Sequence, residues 1–222
     1  MKIKLLTNFH DYYDHHFDLD GYVFDRRDNI GMSRPEMFEF FKEKNIDCAR
    51  NGLVKNLIPK IKKDWDDIHS EAFQTMKPEI VVYLDNNSHR GENKILLECD
   101  EALEKYPDYY SSEFMPSCQN YKKYAISYRS LIIGNCCFFL KYSSESWKSN
   151  CGNNLEIEIL RKYNHNLNIK YPIFAIDCIK FNNKYIAIDF NQSPRIEGTG
   201  IEDILKPKDV RNLIEEYYKT IS

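Results

Sequence analysis

Two apolar segments near the end of the chain, each interrupted by one aspartate, most restrict how the chain can fold. Residues 173–181 and 185–190 flank the dipeptide at 182–183, which consists of two asparagines. Short apolar runs on either side of an Asn-rich turn are typical of a β-hairpin. Asp177 lies in the first run and Asp189 in the second. We therefore expect the two carboxylates to lie side by side across a hairpin.

A third oxygen donor follows the second strand of this hairpin. Asn191 is two residues beyond Asp189, so its side chain should face the same side of the strand. Mg²⁺ prefers a few carboxylate oxygens together with waters and phosphate oxygens. Two close carboxylates also repel each other unless a cation lies between them. The predicted metal ligands are Asp177, Asp189 and Asn191, although an exposed hairpin with a polar outer face explains the spacing alone equally well.

The rest of the chain shows hydrophobic periodicities of both strands and helices. Residues 1–75 begin with a strand, a loop and a helix, the opening of an α/β unit, and sheet patterns dominate from residue 76. Ser33 and Glu36 have the spacing of a capping box, and Asp100 is expected to cap a later helix. The patterns predict further strands at 2–6, 79–84, 94–98, 109–115, 125–133 and 136–142, and helices at 33–44, 53–69 with an interruption at Pro59, 100–105, 155–163 and 208–218.

Composition and charge argue against several classes of protein. Hydrophobic residues make up 42% and charged residues 29% of the 222 residues, so a folded chain is expected. The formal net charge of -3 gives no general reason to bind nucleic acid, and no apolar run is long enough to span a membrane. The seven cysteines are odd in number, and Cys136 and Cys137 lie within an apolar run. This pattern favours free thiols and a cytoplasmic location.

The hairpin motif resembles that of the ATP-grasp superfamily of ATP-dependent ligases. The metal site of that family is a carboxylate on one strand and a carboxylate-x-Asn-x-x-Pro run on the next. Asp177 and the run from Asp189 to Pro194 match this pattern in order and spacing. The resemblance covers residues 76–218, and the most similar branch is the small R2K-like clade often found in phages and viruses. It implies an α+β ATP-grasp fold in which two sheet-bearing subdomains of a domain at 76–222 grip ATP, preceded by a reduced amino-terminal α/β unit at 1–75.

The resemblance also implies roles for residues outside the hairpin. It implies ATP and Mg²⁺ as cofactors, and activation of a small-molecule or peptide carboxylate as an acyl phosphate for attack by an amine or similar nucleophile. Arg129 and Lys141 would be the catalytic residues. The residues implied to bind ATP are Arg90, Lys94, Glu113, Phe114, Met115, Arg129 and Lys141. The match is incomplete, since the segment at 87–92, which corresponds to the phosphate loop, has a single glycine and Tyr128 replaces an acidic residue.

Two other functions are consistent with the sequence. The first is a catalytically inactive nucleotide-binding or interaction module with the same fold, which the glycine-poor segment favours. The second is a metal-dependent nuclease, which also uses paired acidic residues, but Asn191 stands where a nuclease would need a lysine. Arg129, within the apolar run at 126–133, needs an anionic partner. Either phosphate or a carboxylate of the chain could fill this role. The sequence does not specify an oligomeric state.

Overall fold

A computed structural model describes most of the chain as two compact units. It describes residues 3–6, 22–25, 31–68, 77–88, 92–115, 125–145, 147–148, 154–165, 167–192, 194, 196 and 198–221. One unit is Met32–Pro116, and the other combines Met1–Gly31 with Ser117–Ser222. In the described residues no helix is both long and apolar enough to cross a membrane. The boundary predicted between residues 75 and 76 stays a prediction, while the contacts group residues on both sides of it into the unit Met32–Pro116.

In its described residues, the unit Met32–Pro116 contains three helices and a four-stranded antiparallel sheet. The strand order is β3-β6-β4-β5. Helix α2 packs Leu57, Ile58 and Ile61 against Ile80 and Val82 of β4. The elements are α1 (Arg34–Glu43), β3 (Asn51–Leu53), α2 (Val54–Ile68), β4 (Glu79–Tyr83), β5 (Lys94–Glu98), α3 (Cys99–Lys105) and β6 (Tyr110–Glu113).

Three helix predictions in this unit have different outcomes. The capping box at the start of α1 is confirmed, since the Glu36 carboxylate accepts the backbone N–H of Ser33 at 2.8 Å and its hydroxyl at 2.7 Å. The interruption expected at Pro59 is wrong, because α2 runs through it. Burial of the apolar face of α2 outweighs the cost of the missing N–H. Asp100 is not the N-cap of α3, since Glu98 takes that position and the Asp100 carboxylate pairs with Lys62.

The described part of the other unit contains a two-stranded parallel pair and a five-stranded antiparallel sheet. Strands β1 (Ile3–Leu6) and β2 (Tyr22–Asp25) form the pair. The larger sheet has the order β11-β10-β7-β8-β9, and every neighbouring pair in it is antiparallel. Its elements are β7 (Ala125–Ile133), β8 (Cys136–Ser144), β9 (Asn154–Asn164), β10 (Ile173–Phe181) and β11 (Lys184–Asn191), followed by a short 3-10 helix (Ile201–Asp203) and α4 (Pro207–Ile221).

One face of the five-stranded sheet forms the core with the carboxy-terminal elements. Leu131 and Phe138 of the sheet pack with Ile201 of the 3-10 helix and with Val210 and Ile214 of α4. These residues are buried, with exposures of 0%. With helices and two antiparallel sheets, the chain has the predicted α+β fold.

The helix predicted at 155–163 is wrong, because these residues belong to strand β9. The prediction rested on an apolar spacing of four residues, as between Leu155 and Ile159. The alternation of Glu156, Ile157, Glu158 and Ile159 instead has the period of a strand. Hydrogen bonding to β8 along the whole segment stabilises the strand. The pattern was therefore ambiguous, and the neighbouring strand decided the outcome.

Candidate metal and nucleotide site

The hairpin β10–β11 places the two predicted carboxylates opposite each other. Asp177 and Asp189 are partners in the antiparallel register, and Ala175 is the partner of Asn191. The register shifts immediately after Asp177, which leaves Ile188 as an extra residue on β11. The side-by-side arrangement expected from the sequence is therefore confirmed. Asn191 follows Asp189 by two residues and faces the same side of the sheet.

Arg129 of β7 is the cross-strand partner of Asp177 on the other side of β10. Its Nε donates to Oδ1 of Asp177 at 2.6 Å, and its second terminal nitrogen donates to Oδ2 at 2.8 Å. The side chains are 12% and 9% exposed, so this bidentate ion pair is largely withdrawn from water. The chain itself thus supplies an anionic partner for Arg129, one of the two possibilities that the sequence left open.

The charges of Asp177 and Asp189 both act on the Arg129 guanidinium. Burial of the guanidinium lowers the pKa of Arg129, but the Asp177 carboxylate raises it more, with further contributions from Tyr142 and Asp189. The pKa of Arg129 consequently lies above its ordinary value. Since Asp189 also acts on it, the guanidinium offsets part of the repulsion between the two carboxylates. The electrostatic reason for a metal between them is weaker than the sequence alone suggested.

The donor atoms nevertheless fit a magnesium ion. Each Asp177 oxygen accepts one hydrogen bond from Arg129 and so keeps a further lone pair. Asp189 is half-buried and accepts the backbone N–H of Phe190 at 3.1 Å. With Asn191 the set offers two carboxylates and an amide oxygen, hard ligands of the kind that bind Mg²⁺ together with retained waters. The described residues hold no group of three or more His, Cys, Asp or Glu suited to a metal, and this set has only two such members.

Lys141 lies on the opposite face of the sheet from this group. Arg129 is opposite Leu140 in the register of β7 and β8, whereas Lys141 is opposite Tyr128. Successive side chains of a strand point to opposite faces. The Lys141 ammonium lies 3.3 Å from the Glu158 carboxylate of β9. The phosphate-binding roles predicted for Arg129 and Lys141 stay predictions, and the fold places the two side chains on different sides of one sheet.

The remaining predicted nucleotide-binding residues belong to the unit Met32–Pro116 or lie outside the described residues. Glu113 forms a bidentate ion pair with Arg50, at 2.7 and 2.8 Å. The backbone N–H of Phe114 donates to the Glu79 carbonyl at 3.2 Å, and Met115 is buried. Lys94 is the first residue of β5, and Arg90 lies outside the described residues. Their contacts with ATP stay predictions.

Tyr142, next to the Arg129–Asp177 pair, and Glu202, whose charge acts on Tyr142, were not found from the sequence. The Arg129 guanidinium carbon lies 5.5 Å from the centre of the Tyr142 ring. Burial raises the pKa of Tyr142, which Arg129 lowers in part. Within the part of the chain that the structure describes, the Tyr142 hydroxyl and one Glu202 carboxylate oxygen are buried without a hydrogen-bond partner. Neither residue belongs to a motif, so only the fold could reveal them.

The comparisons with known proteins give matches among solved structures alone. No family model matches the chain, and no curated protein matches it. In fold, the chain is similar to D-alanine–D-alanine ligase of Bacillus anthracis complexed with ATP, with 8% identity and a TM-score of 0.45 over 85% of this chain and 66% of that one. It is likewise similar to a RimK domain ATP-grasp protein of Sphaerobacter thermophilus, with 11% identity and a TM-score of 0.41 over 83% and 66%.

A further match is the macrocyclase MdnC of Microcystis aeruginosa bound with the precursor peptide MdnA. Here the identity is 13% and the TM-score 0.42, over 81% of this chain and 57% of that one. The chain therefore spans about two thirds of the length of the ligase and the RimK domain protein and less of the macrocyclase. Among these matches, the RimK domain protein is an ATP-grasp protein, the class that the hairpin motif of this chain resembles.

Proposed function

We propose that the chain is an ATP- and Mg²⁺-dependent ligase that joins a carboxylate to an amine or similar nucleophile. The observation that carries this proposal is the register of β10 and β11, which opposes Asp177 and Asp189 and aligns Asn191 with them on one face. The run from Asp189 to Pro194 has the order of the ATP-grasp metal motif. The bulge at Ile188 further supports a specialised site, since bulges often adjust the direction of a side chain beside an active site.

The proposed reaction has two steps. A carboxylate oxygen of the first substrate bonds to the γ-phosphorus of ATP while the bond from that phosphorus to the bridging oxygen breaks, which gives an acyl phosphate and ADP. The amine then bonds to the acyl carbon, phosphate leaves with the electron pair of the C–O bond, and the amine loses a proton. Bound Mg²⁺ would neutralise charge on the phosphates.

The chain's residues would mainly bind and orient the reactants. Asp189 and Asn191 would hold the metal together with the Asp177 lone pairs that Arg129 does not use. Arg129 would fix the orientation of the Asp177 carboxylate through its two hydrogen bonds. Catalysis would then depend on positioning and charge neutralisation.

One observation favours the second candidate, an inactive nucleotide-binding module. Both Asp177 oxygens accept a hydrogen bond from Arg129. A carboxylate held this way has less capacity for a metal than a solvated one. The glycine-poor segment at 87–92 is consistent with the same candidate. The two candidates differ in turnover and agree in nucleotide binding.

The first experiment measures thermal unfolding with ATP, with and without Mg²⁺, for the wild type and Asp189→Asn. Ligand at about 100 times its Kd adds about 2.7 kcal/mol of stability. For a chain of this size that raises the melting temperature by roughly 5 to 10 °C. We expect this rise in the wild type with Mg²⁺ and its loss in Asp189→Asn. Asp203→Asn, which neutralises an exposed carboxylate of the 3-10 helix, is the matched control and should behave as wild type.

The second experiment measures ADP release with a panel of carboxylates and with hydroxylamine as the nucleophile. Hydroxylamine converts an acyl phosphate to a hydroxamate, which is detected with ferric ion. Hydroxamate that depends on ATP, Mg²⁺ and one carboxylate supports the ligase. Binding of ATP-Mg without ADP release across the panel would instead support the inactive module. A melting temperature indifferent to ATP-Mg at millimolar concentration would count against both.

A further inference from the structure

Strand β9 is the longest of the described strands and forms one edge of the five-stranded sheet. It spans Asn154–Asn164, 11 residues, and is hydrogen-bonded to β8 along its length. Among the described residues no strand pairs with its outer side. Leu160 and Tyr163 on this strand are 40% and 38% exposed. A long edge with exposed apolar side chains is a template for pairing with another strand.

The charges of β9 are arranged in two blocks. Glu156 and Glu158 lie in its first half, and Arg161 and Lys162 in its second half, and all four are exposed. In an antiparallel pairing of two copies, the acidic half of each strand lies against the basic half of the other. The edge is therefore complementary in charge to itself, which is the requirement for a twofold, isologous contact.

A bulge makes this complementarity specific to one face. Leu140 is opposite Ile159 and Phe139 is opposite Arg161, so Leu160 is the extra residue. Glu158 and Arg161 consequently face the same side of the sheet although three positions separate them. Without the bulge they would face opposite sides, and their charges could not meet across a pair of strands.

The Arg161 side chain is already held on that face. Its guanidinium lies 5.0 Å from the centre of the Phe139 ring and 4.9 Å from that of Tyr163. This contact lowers the entropy lost when an arginine binds a carboxylate. Glu158, 3.3 Å from Lys141, is likewise oriented on the same face. Both partners of the contact are thus ordered within one chain.

We propose that two copies of this chain associate through antiparallel pairing of their β9 strands, which joins the two five-stranded sheets into one. The twofold axis passes between Ile159 and Leu160, so that Glu158 of each copy faces Arg161 of the other. Each ion pair occurs twice by symmetry. The apolar residues at the axis are withdrawn from water, and the backbone groups of both edges become hydrogen-bonded.

The test is the mass of the full chain in solution, measured by light scattering after gel filtration at concentrations up to about 200 μM, where a dimer with micromolar Kd is populated. We expect the wild type to change from monomer to dimer with rising concentration. Glu158→Arg and Arg161→Glu each turn two attractions into repulsions and should weaken the dimer at least tenfold, which equals about 1.4 kcal/mol. Combining both substitutions should restore it.

The double variant separates the dimer contact from contacts within one chain. Both substitutions break the contacts with Lys141 and Phe139 within the chain. If Glu158 and Arg161 acted only through these contacts, the double variant should form the dimer less well than either single variant. Far-UV circular dichroism verifies that each variant is folded. A wild type that stays monomeric at every concentration overturns the proposal. So does a dimer that the single variants do not weaken, or that the double variant does not restore.

Discussion

The substitution Asp177→Asn tests whether the pair with Arg129 is a buried structural contact. Asparagine has the same shape as aspartate and keeps one oxygen that can accept from Arg129. Its amide nitrogen, however, opposes a guanidinium N–H donor in place of the second hydrogen bond. The change also removes the charge that compensates a guanidinium only 12% exposed. The variant therefore leaves a buried charge without its principal partner.

The burial of the Arg129–Asp177 pair sets the expected loss of stability in Asp177→Asn. Breaking a buried ion pair by removing one partner costs about 3 to 5 kcal/mol. Asp189 also acts on Arg129 and remains in the variant, so we expect a value near the lower limit, about 3 kcal/mol. For a chain of this length that corresponds to a melting temperature lower by roughly 6 to 12 °C.

Urea unfolding, monitored by hydrogen exchange at the amides of β7 and β10, measures the loss of unfolding free energy in the sheet that contains the pair. The matched control is Glu215→Gln, which breaks the ion pair with Arg211 on α4, where both side chains are 34% exposed. Such a helical pair contributes about 0.3 to 0.5 kcal/mol. A loss for Asp177→Asn below about 1 kcal/mol, comparable with the control, would refute the reasoning. Replacing both Arg129 and Asp177 by leucine should recover much of the stability.

Gly134→Ala should destabilise the chain by at least about 2 kcal/mol in urea unfolding, because Gly134 has φ +60° and an added Cβ would lie 2.2 Å from the Leu213 carbonyl oxygen. Gly198→Ala, with φ +77° and open space around it, measures the conformational cost alone. Tyr142→Phe should leave the melting temperature unchanged or raise it, since the hydroxyl it removes has no partner among the described residues, and a fall would indicate a bound water or ligand. Burial raises the pKa of Cys178 from 9.0 to about 12. The free energy of unfolding should therefore fall as pH rises through this range, because the thiol loses its proton first in the unfolded chain. The accompanying fall in melting temperature should be smaller in Cys178→Ala.

Local sequence predicted the hairpin β10–β11 and much of its geometry. Apolar alternation and the turn at Asn182 and Asn183 predicted the hairpin, and both turn residues have positive φ as expected of asparagine. The register at this turn alone would bring Asp177 opposite Ile188, and the bulge at Ile188, which the sequence did not predict, brings Asp177 opposite Asp189. The capping box at the start of α1 was likewise predicted from the local sequence. These features depend on interactions between residues close in sequence, so their patterns carry the information directly.

The partners of the charged residues depended on the tertiary structure. Arg129 and Asp177 are 48 positions apart, and the sequence could indicate only that Arg129 needs an anion. Lys141 faces away from the predicted site because its register against Tyr128 fixes its side of the sheet. Unlike the pairing of Arg129, this register follows from the two-residue turn at Gly134 and Asn135 between β7 and β8, so the local sequence already contained it.

The sequence by itself thus determined the hairpin turns, most of the strands and which polar groups need compensation. Only the tertiary structure decided which elements become neighbours. Residues 155–163 have apolar spacings compatible with either a helix or a strand, and hydrogen bonding to β8 made them a strand. The physical reason is that periodicity reports the face a segment can bury, whereas a backbone hydrogen bond between strands requires a partner that is distant in the chain.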